Sequence, residues 1–171
     1  MNQTDSLITM KGSPLTLVAS PPRLGDHAPD CELLDNDLTP VKLSDFRPKV
    51  CIISSVPSLD TGVCDKMTRR FNEEAAKLGK DIVVLTISMD LPFAQKRWCA
   101  AAGIENVKTL SDHRNAEFGN TYGLLIKELR LLARAVFVLD NDRVVRYIEI
   151  VRELTNEPDY DAAINAAKQL L

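Results

Sequence analysis

The chain has 171 residues, of which 45% are hydrophobic and 26% charged, with a formal net charge of −3. That suits a single domain, residues 1–171, with volume enough for a sheet covered by helices. The mildly acidic balance, the lack of a basic block and the lack of a bilayer-length apolar run argue against nucleic-acid and membrane partners.

The first residues, Met1 to Ser6, lack the charged and apolar regions of a signal peptide, so the cytoplasm is the expected location. Two short apolar pieces, Leu7–Met10 and Leu15–Val18, flank Lys11-Gly12-Ser13-Pro14 and predict a β-hairpin. The stretch from Ser20 to Pro29 is Pro-rich and irregular, and Cys31–Leu34 with Val41–Leu43 predicts a strand pair. Val50 to Val56 is an apolar, β-branched run stopped by Pro57, as a buried strand would be. After it, Met67, Phe71, Ala75 and Leu78 recur at helical spacing, with Asp60 and Thr61 as suitable N-caps and Gly79 at the end. The Arg69-Arg70 pair on this helix reads as a solvated face.

Asp81–Ser88 is again nearly continuous in apolar residues, the mark of a parallel strand buried on both faces. Asp90 as cap, Pro92 near the first helical position and Gly103 past the end bracket a helix over 92–102. A short strand at Val107–Leu110 and a helix near 115–122 follow. Ala135–Leu139 and Val144–Ile148 flank Asp140-Asn141-Asp142-Arg143 as an antiparallel hairpin, and Asp159–Leu171 predicts a closing amphipathic helix. This α/β order is a thioredoxin-like layout: a central mixed sheet flanked by helices, preceded by an N-terminal β-hairpin.

The strand-to-helix step places Cys64 in the first turn of a helix. There the unpaired backbone N–H groups and the positive end of the dipole favour a thiolate, the nucleophilic form. Four cysteines without a Cys-x-x-Cys or zinc-like spacing make neither a disulfide scaffold nor a metal site. The two histidines, His27 and His113, are far apart in sequence, and His113 sits in the polar run Ser111–Asn115 that suits a surface position. A Cys–His hydrolase, which needs a histidine base near Cys64, is the weakest of the functional readings.

The segment Pro57-Ser58-Leu59-Asp60-Thr61-Gly62-Val63-Cys64 resembles the Pro-x-x-x-Thr-x-x-Cys signature of the peroxiredoxins, in the form seen in their thiol peroxidase branch. Asp90-Leu91-Pro92-Phe93-Ala94-Gln95-Lys96-Arg97-Trp98-Cys99, Ala133-Arg134-Ala135-Val136 and Thr155-Asn156-Glu157-Pro158-Asp159-Tyr160 continue the resemblance, in order, over nearly the whole chain. It implies a thioredoxin fold and a thiol-dependent peroxidase acting on hydrogen peroxide and organic hydroperoxides. Cys64 would be the peroxidatic cysteine, oxidised to a sulfenic acid, and Cys99 the resolving one, closing an intramolecular disulfide that thioredoxin reduces. Thr61 would orient the peroxide, Arg134 would hold the thiolate and the leaving charge, and Pro57 would shield the sulfur. The resemblance further implies a homodimer and an antioxidant role, with no metal, flavin or nucleotide cofactor.

Cysteines on two helices flanking a sheet seldom reach the Cα separation of about 4.4–6.8 Å that a disulfide needs, so local unwinding around Cys64 is expected before Cys99 can reach it. Cys51 reads as a buried filler within a strand, and Cys31, outside the family pattern, as a possible second thiol. The stretch from Leu124 to Leu132 is shorter than the connection common in the family, and its leucines suit either core packing or an exposed patch beside the substrate entrance. The alternative from a different class is a non-enzymatic thioredoxin-like redox sensor that oxidises once and passes its disulfide on.

Overall fold

The computed structural model describes residues 8–171. The hairpin at the start is present as β1 (Ile8–Met10) and β2 (Ser13–Leu15), joined by Lys11 and Gly12, both at positive φ (50° and 81°). Positive φ at both turn residues makes the two-residue connection whose twist matches the strands. Leu7 lies outside the described residues. The second strand begins at Ser13, two residues before the expected start, because the turn needs only two residues. Leu17 leaves the hairpin and bridges Ile126 instead.

Seven further strands form one mixed sheet. They are β3 (Glu32–Leu34), β4 (Pro40–Lys42), β5 (Val50–Ser55), β6 (Ile82–Ser88), β7 (Lys108–Ser111), β8 (Ala135–Leu139) and β9 (Val145–Ile150), in the order β4-β3-β7-β6-β5-β8-β9. The central trio β5, β6 and β7 is parallel, and the remaining strands add antiparallel on both sides. The expected pair at 31–34 and 41–43 is shifted by a residue. Leu43 starts a 3-10 turn, Leu43–Phe46, rather than ending a strand.

The two crossovers from β5 to β6 and β6 to β7 run through α1 (Gly62–Leu78) and α2 (Pro92–Ala102). Both helices pack on one face with the closing helix α4 (Tyr160–Lys168), over even-numbered strand residues such as Ile52, Val84, Val136 and Val138. The opposite face buries Ile53, Leu85, Ile87 and Phe137 against α3 (Glu117–Thr121), the N-terminal hairpin and the connection after Tyr122. The period-2 alternation of strand side chains therefore feeds two separate apolar clusters. Burial on both faces is why β5 and β6 read as continuous apolar runs.

Helix ends follow the chemistry of their caps, with one correction. Thr61 caps α1, its hydroxyl oxygen accepting from the Cys64 N–H at 3.3 Å, and Asp159 caps α4 through the Ala162 N–H at 3.0 Å. At α2 the N-cap is Leu91, with no side-chain cap, and Pro92 in the first turn supplies the start signal. Asp90 is one residue too early to cap and is engaged elsewhere. Gly103 ends α2 in the left-handed region (φ 68°). Arg69 and Arg70 are not simply solvated. Arg69 pairs with Asp65 and lies over the Trp98 ring, while Arg70 pairs with Glu74 and Asp161 over Tyr160. No helix among the described residues is long and apolar enough to cross a membrane.

Candidate active site

The site begins where β5 stops. Val56 still donates to the Ile87 carbonyl, but Pro57 has no N–H to continue the ladder, and the chain turns off the sheet. The turn is held from below by Asp90. Its carboxylate accepts from the Ser58 hydroxyl at 2.7 Å, the Leu59 N–H at 2.8 Å and the Ser88 hydroxyl at 2.8 Å. Thr61 then adopts the extended cap conformation (φ −91°, ψ 146°) and α1 starts, with Cys64 in its first turn. The Thr61 hydroxyl has one proton, and it is donated to the Ser58 carbonyl at 3.1 Å. The hydroxyl oxygen also accepts from the Cys64 N–H, so the loop is fastened at both ends of one side chain.

Cys64 is fully buried, and its sulfur lies 3.2 Å from Nη1 of Arg134. Arg134 immediately precedes β8, which pairs antiparallel with β5, so the sheet itself brings residues 64 and 134 together. The guanidinium is only 2% exposed. Its Nε donates to the Leu154 carbonyl at 3.1 Å, and Nη1 also approaches the Met67 sulfur at 3.6 Å. Among the described residues Arg134 makes no ion pair with a carboxylate. A buried cation must be paired or fully hydrogen-bonded, and the ionisable group in direct contact with it is the Cys64 thiol. The arrangement therefore sets a guanidinium N–H directly against that sulfur and offers N–H donors to an oxygen arriving beside it.

A cavity of about 390 Å³ opens beside this pair, with Arg134 in its lining. Thr61 and Arg134 supply polar groups to its lining, and Met10, Pro57, Val63, Leu129, Leu131 and Leu154 form apolar walls. The connection after Tyr122 thus serves both purposes that its leucines allowed. Leu124, Leu125, Ile126 and Leu132 are core, whereas Leu129, 36% exposed, and Leu131 line the cavity.

Cys99 is not in this group. It is half-buried on α2, facing the Thr109 hydroxyl at 3.5 Å, and all four cysteines are free thiols. Thr109 also donates to Asn36 Oδ1 at 2.8 Å. Burial pushes the Cys99 thiol up, and the hydrogen bond with Thr109 opposes that rise without overcoming it. Burial also pushes Cys51 up to about 12 and Cys31 well above the usual thiol range, the latter reinforced by Asp112, Glu117 and Asp30. His27 is exposed and His113 half-buried, and neither hydrogen-bonds to Cys64, so the Cys–His hydrolase arrangement is not formed.

Sequence reading missed the role of Asp90, which it took for a cap, and of the Leu154 carbonyl that orients Arg134. The first carried a signal, a carboxylate just after a buried strand. The second did not, since a backbone acceptor twenty residues away leaves no mark in side-chain identity.

Against known proteins, the Redoxin family pattern matches residues 23–164. The thiol peroxidase of Halalkalibacterium halodurans is 60% identical over 164 residues, covering 96% of this chain and 98% of that protein. The thiol peroxidase of Bacillus subtilis is likewise 60% identical, with the same coverage. The chain belongs to the thiol peroxidase branch of the peroxiredoxins. Its fold agrees: a peroxiredoxin-like protein from Aquifex aeolicus superposes with a TM-score of 0.90 at 41% identity, covering 96% of each chain. A thiol peroxidase from Chromobacterium violaceum shares the fold at 23% identity and a TM-score of 0.84, with 95% of each chain covered. Like the thiol peroxidases it resembles, this chain is a thiol-dependent peroxidase, and the non-enzymatic sensor reading is not favoured.

Proposed function

We propose that Cys64 is the peroxidatic cysteine and Cys99 the resolving one. The observation that carries the first assignment is the Arg134 Nη1 to Cys64 Sγ contact of 3.2 Å beside a largely apolar cavity. In the first step the Cys64 thiolate attacks the nearer oxygen of a hydroperoxide and the O–O bond breaks. The leaving oxygen takes a proton and departs as water or an alcohol, leaving a sulfenic acid on Cys64. Arg134 holds the thiolate before attack and donates to the oxygen on which charge develops. Thr61 turns its hydroxyl from the Ser58 carbonyl toward the peroxide, and Pro57 closes the site to bulk water.

In the second step the Cys99 sulfur attacks the sulfenic sulfur. The S–O bond breaks, the S–S bond forms, and the Cys99 proton leaves with the hydroxyl as water. A dithiol reductant, thioredoxin, then returns both cysteines to thiols. The apolar cavity suits organic hydroperoxides as well as hydrogen peroxide. Residues 1–171 act as one peroxidase domain, working in the cytoplasm as a homodimer, with peroxide defence as its purpose.

Both helices pack on the same sheet face, but Cys64 is fully buried under its own helix and Cys99 is hydrogen-bonded to Thr109 on β7, so α1 must unwind locally before they meet. The test is consumption of cumene hydroperoxide and hydrogen peroxide with thioredoxin, its reductase and NADPH. Cys64→Ser should abolish turnover, and Cys99→Ser should complete one turnover and stop. Full turnover in Cys64→Ser would sink the assignment and return the sensor reading. Equal hydrogen-exchange protection of residues 60–68 in the reduced and disulfide forms would remove the unwinding step.

A further inference from the structure

Among the described residues, four buried side-chain polar atoms have no protein hydrogen-bond partner, and three of them lie on one patch of the sheet. They are Ser54 Oγ on β5, Thr86 Oγ1 on β6 and Gln95 Oε1 on α2. The strand register aligns the first two: Ser54 pairs with Thr86, and Thr86 pairs in turn with Thr109, the residue that holds Cys99. Strand alternation puts all three hydroxyls on the face of Ile52, Val84 and Val107, the face covered by α1, α2 and α4. Gln95 reaches the same place from above, its amide nitrogen donating to the Ser88 hydroxyl and the Leu110 carbonyl, each at 3.0 Å. A polar row thus crosses the sheet at the level between the helix that carries Cys64 and the helix that carries Cys99.

Buried polar atoms without a protein partner oppose the packed state, and each one in a native protein asks for a reason. Packing supplies none here. Valine has the shape of threonine and would fit at 86 as it does at 84, and the neighbour of Ser54 across β8 is Val136. What this position has in common with chemistry is that the proposed disulfide must form across it. Opening the first turn of α1 and lifting α2 would let water reach the row, and the orphaned hydroxyls would gain partners only in that open state.

We propose that Ser54 and Thr86 are positioning residues for the resolving step: by weakening the closed packing of α1 and α2 over the sheet, they favour the open state in which Cys64 and Cys99 meet. This rests on the assignment of Cys99 as the resolving cysteine. The step they promote is the condensation of the Cys64 sulfenic acid with the Cys99 thiol to a disulfide and water. The competing fate of the sulfenic acid is attack on a second hydroperoxide, which yields a sulfinic acid and an alcohol or water. Faster opening therefore protects Cys64 from over-oxidation without changing the first oxidation, which takes place in the closed site.

The experiment compares wild type, Thr86→Val, the double variant Ser54→Ala/Thr86→Val, and Thr86→Ser in a single turnover with one equivalent of cumene hydroperoxide. Samples are quenched by alkylation, and the Cys64–Cys99 disulfide and Cys64 sulfinate are quantified by mass spectrometry. The variants that lose a hydroxyl without losing shape should form the sulfenic acid at the wild-type rate. The double variant should close the disulfide about tenfold more slowly and accumulate more sulfinate in excess peroxide. Thr86→Ser, which keeps the hydroxyl, should resolve at least as fast as wild type. Unchanged or faster disulfide formation in the double variant overturns the inference while leaving Cys99 as the resolving cysteine. A wild type that forms no Cys64–Cys99 disulfide overturns that assignment and this inference together.

Discussion

At the scale of single residues the site depends on one cation in an unusual position. Arg134 is buried without a carboxylate and spends its N–H groups on the Leu154 carbonyl and two sulfur atoms. The planar fork matters as well as the charge, because one edge must hold the backbone while another faces the sulfur. Arg134→Lys keeps the charge and loses that division. The rate of Cys64 oxidation by hydrogen peroxide, followed by stopped-flow fluorescence, should fall about 100-fold or more, in line with removal of one fixed donor from a charge-stabilising site. A loss below about threefold would show that charge alone suffices. Cys64 was legible in the sequence because a strand followed by a capped helix announces itself through periodicity and Thr61. Arg134 was legible from residue chemistry as a cation in need of an anion, and the family resemblance pointed to Cys64 as that partner. Which anion it meets depends on the antiparallel pairing of β5 with β8, a contact between residues seventy positions apart.

At the scale of elements, the N-terminal hairpin is tied to the site by the backbone of Thr9, which bonds to Arg152 and Leu154, and by one carboxylate. Glu153 accepts from the Thr9 hydroxyl at 3.1 Å, the Gly12 N–H at 3.0 Å, and the Thr155 N–H and hydroxyl at 3.0 and 2.8 Å. These bonds, led by those from the Thr155 and Gly12 backbone, hold its carboxyl well below the ordinary 4.5, at about 2. A carboxyl depressed in the folded state stabilises it above the unfolded value and loses that effect as pH falls through the folded value. The clamp is therefore complete above pH 4.5 and is lost between 4.5 and about 2. Met10, at the end of β1, lines the cavity, so the hairpin and the site loosen together. Hydrogen exchange at Thr9 to Ser13, corrected for intrinsic rates, should rise over that pH interval. Glu153→Gln should be loose already at neutral pH and show no such step, and a pH step retained in that variant would assign the clamp to another group. The hairpin itself was visible in the sequence from Lys11-Gly12, but its docking was not, since the clamp joins residues 9 and 153 across nearly the whole chain.

At the scale of the whole molecule the cavity belongs to no single segment. Its walls come from the hairpin, the first turn of α1, the connection after Tyr122 and the stretch just past β9. Leu129 is exposed and Leu131 half-buried, outside the buried core, so they can be changed without unfolding the protein. Leu129→Ser with Leu131→Ser should lower kcat/KM for cumene hydroperoxide about tenfold relative to hydrogen peroxide, because the lost apolar area contacts only the larger substrate. An equal loss for both substrates would mean that these leucines position Arg134 or Thr61 instead of the substrate.

By itself the sequence determined the order and kind of nearly every element, the helix that carries Cys64, the cap at Thr61 and the family resemblance. All of these are local: apolar period, capping residues, Gly and Pro punctuation, and motifs of a few residues. Only the tertiary structure decided that Asp90 holds the Ser58–Leu59 turn instead of capping α2, that the Leu154 carbonyl orients Arg134 against Cys64, and that the Leu124–Leu132 connection divides its leucines between core and cavity. It also decided that Ser54, Thr86 and Thr109 stand in one row. Those facts depend on strand register and on which sheet face a side chain takes, and register joins segments that carry no record of each other in the order of the chain.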